Sequence, residues 1–167
     1  MYREIAERGE QFRGYSILQH ADEIGELLAL KALNKSATLL DYGSGAGAAY
    51  EPPHMLHERW GVARPTLYDP AFEGIDVPPP AGTKFDFVIC SDVLEHIPMD
   101  RCEAFITTLF DYTDKNLWAS VCTRPAKKVF SDGANMHVTI KPMSWWHKVF
   151  TRVAAGRGVA YRLTETL

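Results

Sequence analysis

A three-layer α/β/α sandwich around a mostly parallel sheet is the fold the sequence predicts, and three observations predict it. Short apolar runs closed by turn residues recur at residues 38–42, 66–69, 85–91, 117–123 and 159–164. Runs of that length suit strands buried on both faces of a parallel sheet. Stretches of helical period alternate with them, and strand alternating with helix implies right-handed crossovers. Finally, a glycine loop, Gly43-Ser44-Gly45-Ala46-Gly47, closes the first run, where such sheets bind ligands at strand carboxyl ends.

The first helix is predicted over residues 17–33, because Ile17, Ala21, Ile24 and Leu28 fall at i, i+4, i+7 and i+11, widened by Leu18 and Leu27. Gly25 interrupts that stripe, and glycine weakens a helix interior. Further helices are predicted at 54–60, 101–112 and 144–155. In the last, Trp145, Trp146, Val149, Phe150 and Val153 share one face, so core packing is expected of at least one tryptophan. Only 15 residues separate Asp69 from Phe85, and four of them are proline. A helix and a strand hardly fit there, so the sheet is expected to be reduced, with its third strand short or absent and a shortened C-terminus.

A chain of 167 residues suits one domain. It is expected to comprise an N-terminal helical segment (1–36), a ligand-binding core (37–125) and a loop, helix and final strand (126–167). With 46% hydrophobic and 23% charged residues it reads as globular rather than disordered. No apolar run approaches the roughly 20 residues that span a bilayer, and the charged N-terminal stretch lacks the core of a secretion signal. A cytoplasmic protein without a membrane partner is expected. Cys90, Cys102 and Cys122 form no CxxC pair, consistent with free thiols in a reducing compartment.

The net charge of −3 conceals an asymmetry: residues 1–114 carry 9 basic and 19 acidic side chains, residues 115–167 carry 9 and 2. A basic C-terminal third can draw an anionic ligand to one face, or simply be a solvated surface.

Around the glycine loop the pattern is chemical. Gly43 and Gly45 let a ligand approach the backbone. Asp69, ending the second run, can accept both hydroxyls of a ribose, and the flat Pro70 can cover a purine. Gly43-x-Gly45-x-x-Ala48 also fits a dinucleotide pattern loosely. The separating residue is Asp41, two before Gly43, because a carboxylate there suits a ligand with a cationic amino-acid end and no pyrophosphate.

Three blocks, Leu39-Leu40-Asp41-Tyr42-Gly43-Ser44-Gly45-Ala46-Gly47, Tyr68-Asp69-Pro70 and the run from Phe85 through Asp92-Val93-Leu94-Glu95-His96-Ile97-Pro98, resemble class I, Rossmann-like S-adenosylmethionine-dependent methyltransferases over roughly residues 37–125. The resemblance implies that Asp41, Tyr42, Gly43, Ser44 and Gly45 hold the methionine part of S-adenosyl-L-methionine, that Asp69 and Pro70 take the ribose and adenine, and that Ser91 borders the methionine arm.

Asp92, Glu95 and His96 stand at i, i+3 and i+4. If a helix starts after Ser91, they project from one face, with His137 on a later loop above the same edge. The stretch is similar to that of metal-dependent O-methyltransferases acting on small-RNA ends or ubiquinone precursors. That similarity implies a divalent ion held by Asp92, Glu95, His96 and His137; two imidazoles favour Mn, Fe, Co or Zn over Mg. Two alternatives stand beside it. His96 or His137 acts as a general base, with Glu95 in the catalytic set and no metal, or Glu95 and His96 only cap and orient a helix. Thr123-Arg124-Pro125-Ala126-Lys127-Lys128 can clamp an anionic acceptor or be a solvated loop.

The expected activity is methylation of oxygen on a hydroxyl-bearing small molecule or glycan precursor. The competing expectations are 2′-O-methylation of a nucleic-acid end, a non-catalytic S-adenosylmethionine-binding module, and a nicotinamide-dependent oxidoreductase. Composition and motifs leave the oligomeric state open.

Overall fold

The computed structural model describes residues 12–166; the charged stretch at 1–11 and Leu167 lie outside them. Five strands, β1 (Leu39–Tyr42), β2 (Thr66–Tyr68), β3 (Phe85–Cys90), β4 (Thr113–Cys122) and β5 (Ala160–Thr166), form one sheet in the order β2-β1-β3-β4-β5. Every pair is parallel, as the alternation of runs predicts.

Period-two alternation sends neighbouring side chains to opposite layers. Leu40, Val88, Cys90, Leu117 and Ala119 face one apolar cluster. They pack there with α3 (Cys102–Tyr112) and α4 (Met143–Ala154), through Ile106, Phe110, Trp146 and Phe150. Leu39, Phe87, Ile89 and Trp118 face the other. Ile24 and Leu28 of α1 (Ala21–Leu30) and Leu56 of the short α2 (Leu56–Arg59) close that side. Burying a side chain such as Phe150 or Leu28 contributes about 1.5–3 kcal/mol, so the central strands are held from both faces.

Several boundaries differ from expectation for local reasons. The first helix begins as a 3-10 turn at Ser16–His20 and ends at Leu30. Gly25 lies within α1 because a β-carbon there would meet the Trp60 ring at 3.0 Å; the Trp60 indole N–H donates to the Ala21 carbonyl at 2.8 Å. Strand β4 starts at Thr113, directly after α3, ahead of the apolar run at 117–123 that predicts it. The interval 70–84 contains turns and no strand, so β2 is the sheet's edge. Trp146 is fully buried as expected, Trp145 half-buried. The helix conditionally expected after Ser91 does not form: Asp92 is left-handed at φ +53°, and the 3-10 turn Leu94–His96 ends at the extended Ile97.

Much of the basic C-terminal third neutralises the acidic remainder. Lys115 pairs with Asp86, Arg152 with Glu103, Arg157 with Asp111 and Arg162 with Glu23. These exposed pairs contribute little individually.

Candidate active site

The carboxyl ends of β1, β2 and β3 border a cleft of about 630 Å³, within the size range of small-molecule sites. The glycine loop forms its floor. Gly43 and Ser44 N–H both donate to the Tyr68 carbonyl, at 2.7 and 3.2 Å, which ties the loop to the end of β2. Asp69 then bridges the two: its Oδ2 accepts the Gly45 N–H and its Oδ1 the Ala71 N–H, each at 2.9 Å. Burial raises the Asp69 pKa, and the two backbone donors oppose that shift.

A segment that sequence reasoning missed straps this loop. Phe12 and Arg13 carbonyls accept the Ala46 and Ala48 N–H groups at 3.0 and 2.9 Å, and residues 12–16 line the cleft. The approach is close enough to exclude side chains. A β-carbon on Gly45, where φ is +57°, would stand 2.2 Å from the Phe12 carbonyl oxygen. We expect Gly45→Ala to lose about 1–3 kcal/mol through left-handed strain and to weaken cofactor binding more than about tenfold. Urea melts and calorimetric titration measure the two; unchanged affinity would show that the strap does not shape the cleft.

Of the residues expected at the cofactor, Tyr42, Gly43, Gly45, Asp69, Pro70 and Ser91 line the cleft. Asp41 and Ser44 are buried and lie outside its lining residues. The Tyr50 hydroxyl donates to Asp41 Oδ2 at 2.8 Å, while Oδ1 is buried without a hydrogen-bond partner. Burial, with the Asp69 charge adding and the Tyr50 hydrogen bond opposing, pushes Asp41 up to about 7.

The expected set Asp92, Glu95, His96 and His137 divides. Asp92 turns toward the sheet: its carboxylate accepts from Ser120 Oγ at 2.8 Å, from Thr166 Oγ1 and from Gln19 Nε2 at 3.3 Å. The left-handed residue and the short turn break the one-face geometry that a helix after Ser91 would give. Glu95 is buried on the far side, with Oε1 accepting the Cys122 N–H at 3.2 Å and lying 3.9 Å from His137 Nε2. Burial, reinforced by Asp92, pushes Glu95 up to about 8. A single ligand atom each from Glu95, Cys122 and His137 lies within 4.8 Å of the others. Cys122 was expected to be a free thiol and is one. Its place at the carboxyl end of β4, the position from which such sheets serve ligands, was the overlooked signal.

His96 stands between two cavities. It lines the cleft and also a second space of about 540 Å³, bordered by Phe12, Cys122, Arg124, Lys127, Lys128 and His137. His96 Nδ1 lies 2.8 Å from the Met136 carbonyl. A carbonyl only accepts, so Nδ1 carries the proton and Nε2 the lone pair in the neutral ring. Burial lowers the His96 pKa, as does the neighbouring His137, while the hydrogen bond to Met136 opposes them.

The parallel sheet, the glycine loop and the acid ending β2 meet in one cleft, and residues 12–155 match the family described as Methyltransferase domain. The chain belongs to this family. It is an S-adenosylmethionine-dependent methyltransferase of the Rossmann-like α/β class, which sets aside the nicotinamide expectation. No curated protein matches the chain, and no solved structure does. Among the described residues of the methyltransferase, no helix is long and apolar enough to cross a membrane.

Proposed function

We propose that this methyltransferase methylates a hydroxyl oxygen of an anionic small molecule or glycan precursor, held in the second cavity with His96 as general base. The observation that carries the reading is the shared wall: His96 and Phe12 border both cavities. Arg124, Lys127 and Lys128 give the second cavity its basic side, suited to carboxylate or phosphate groups.

The residues present fit the donor. Gly43 and Gly45 present side-chain-free backbone to the cleft, and Asp41 Oδ1 is an orphaned buried acceptor beneath the loop. Asp69 would hold the ribose, Pro70 the adenine, and Tyr42, Gly43, Gly45 and Ser91 the methionine part, with Asp41 and Ser44 supporting the loop from below. When bound, S-adenosylmethionine supplies a methyl group already activated on a sulfonium. What remains for the protein is alignment and proton removal. His96 Nε2 accepts the hydroxyl proton, and the Met136 carbonyl stabilises the resulting imidazolium through Nδ1–H. The three free thiols support a cytoplasmic location.

Purified protein is expected to bind one S-adenosylmethionine or its demethylated product in calorimetry, and to transfer labelled methyl into an anionic fraction of a metabolite extract. The label should resist mild alkali, as an ether does; release would indicate a carboxylate ester instead. His96→Ala should keep cofactor affinity within a few-fold and cut turnover about 100- to 10,000-fold. Intact turnover in that variant would remove His96 from catalysis.

A further inference from the structure

The geometry points to a divalent-cation site for an ion of the zinc type, formed by Glu95, Cys122 and His137 at the rim of the second cavity. The three come from separate elements: the turn after β3, the last residue of β4, and the loop beyond it. Their ligand atoms already lie within 4.8 Å of one another, so a tetrahedral ion with bonds of about 2.0–2.3 Å needs only a small contraction.

Two further observations point to a ligand. Glu95 is 1% exposed, and its Oε2 has no hydrogen-bond partner. A buried unpaired carboxylate oxygen is costly, and a cation removes that cost. His137 Nδ1 lies 2.5 Å from the Arg124 carbonyl, so Nδ1 carries the proton and the Nε2 lone pair turns toward Glu95. At 3.9 Å the Nε2–Oε1 pair is too long for a hydrogen bond. A ligating imidazole is commonly oriented this way by an acceptor on its other nitrogen. Asn135 fixes the loop: its side chain exchanges hydrogen bonds with Ala126 at 3.0 and 2.9 Å and accepts the His137 N–H at 2.9 Å.

One carboxylate, one thiolate and one imidazole select zinc over magnesium or calcium. Binding takes the three ligands as thiolate, carboxylate and neutral imidazole, so the protons of the Cys122 thiol and the Glu95 carboxyl are released to solvent. Cys122 and His137 line the second cavity, so an open coordination position would face the acceptor. This site is independent of the acceptor proposal, because metal uptake is read without cofactor or acceptor.

The test uses untagged full-length protein, stripped with chelator and titrated with Zn2+ against a chromophoric competitor, then with Co2+. One ion per chain is expected, and Co2+ should give a thiolate-to-cobalt charge-transfer band with visible bands of a four-coordinate ion. Cys90 and Cys102 are buried in the core, so the thiolate band reports Cys122. Cys122→Ser should abolish that band, and Cys122→Ser or His137→Ala should weaken Zn2+ binding by more than about 100-fold, beyond the cost of losing an outer-shell partner. Wild-type protein that melts cooperatively yet takes up no stoichiometric Zn2+, or binds Co2+ without a thiolate band, would overturn the site even if a variant fails to fold.

Discussion

Asp69→Ala is expected to weaken S-adenosylmethionine binding by about 100- to 1,000-fold while the protein stays folded. Both carboxylate oxygens already accept a backbone N–H, one from Gly45 and one from Ala71. Each has a second lone pair with which to take a ribose hydroxyl in the cleft that Asp69 lines. Hydrogen bonds to a charged group contribute about 1.5–3 kcal/mol each, and about 1.4 kcal/mol is a factor of ten. Losing two ligand bonds therefore accounts for most of the effect, and release of the Gly45 amide adds disorder in the loop. Asp69→Asn keeps one acceptor oxygen and should fall between wild type and alanine. A loss below about tenfold in the alanine variant would place the ribose elsewhere.

The sheet was legible because its strands are short apolar runs whose neighbours, such as Leu39 and Leu40, each enter a different core layer. The stripe from Trp146 to Val153 was legible for the equivalent reason at helical period. Asp92 defeated the reading of the acceptor side. Aspartate tolerates the left-handed region, and nothing in its neighbours announces that it is used there. Spacing on a helix was the wrong ruler for a 3-10 turn. The meeting of Glu95 with Cys122 and His137 depends on parallel pairing of β3 and β4, in which Cys90 sits beside Ala119. Such contacts join residues far apart in the chain, and local periodicity carries no trace of them. The strap at residues 12–14 works through backbone carbonyls, to which side-chain identity is nearly blind; Gly14, whose β-carbon would strike the Ser44 carbonyl oxygen at 2.1 Å, is its one mark.

Asp41→Asn should remove a pH-dependent loss of stability. The folded-state pKa of Asp41 is about 7, against about 3.9 for an aspartate in an unfolded chain. The folded state thus holds this proton more tightly. Its contribution to stability is fully present below the unfolded value and is lost as pH rises toward 7. A difference of that size corresponds to about 4 kcal/mol, an upper figure because the carboxylate can relax toward Tyr50. Glu95, pushed up to about 8, slopes the same way in wild type and variant alike, so the difference between their curves isolates Asp41. Relative to wild type, the variant's midpoint should rise by about 10 °C between pH 4 and pH 8, at roughly 2–4 °C per kcal/mol for a chain of this size. The asparagine retains an oxygen for the Tyr50 hydroxyl and carries no charge to bury, so its own slope through this window should come from Glu95, Asp69, His96 and the remaining titratable groups, which wild type shares. Parallel curves would mean that Asp41 ionises without penalty, and that the unpartnered oxygen beneath the glycine loop is solvated in the free protein.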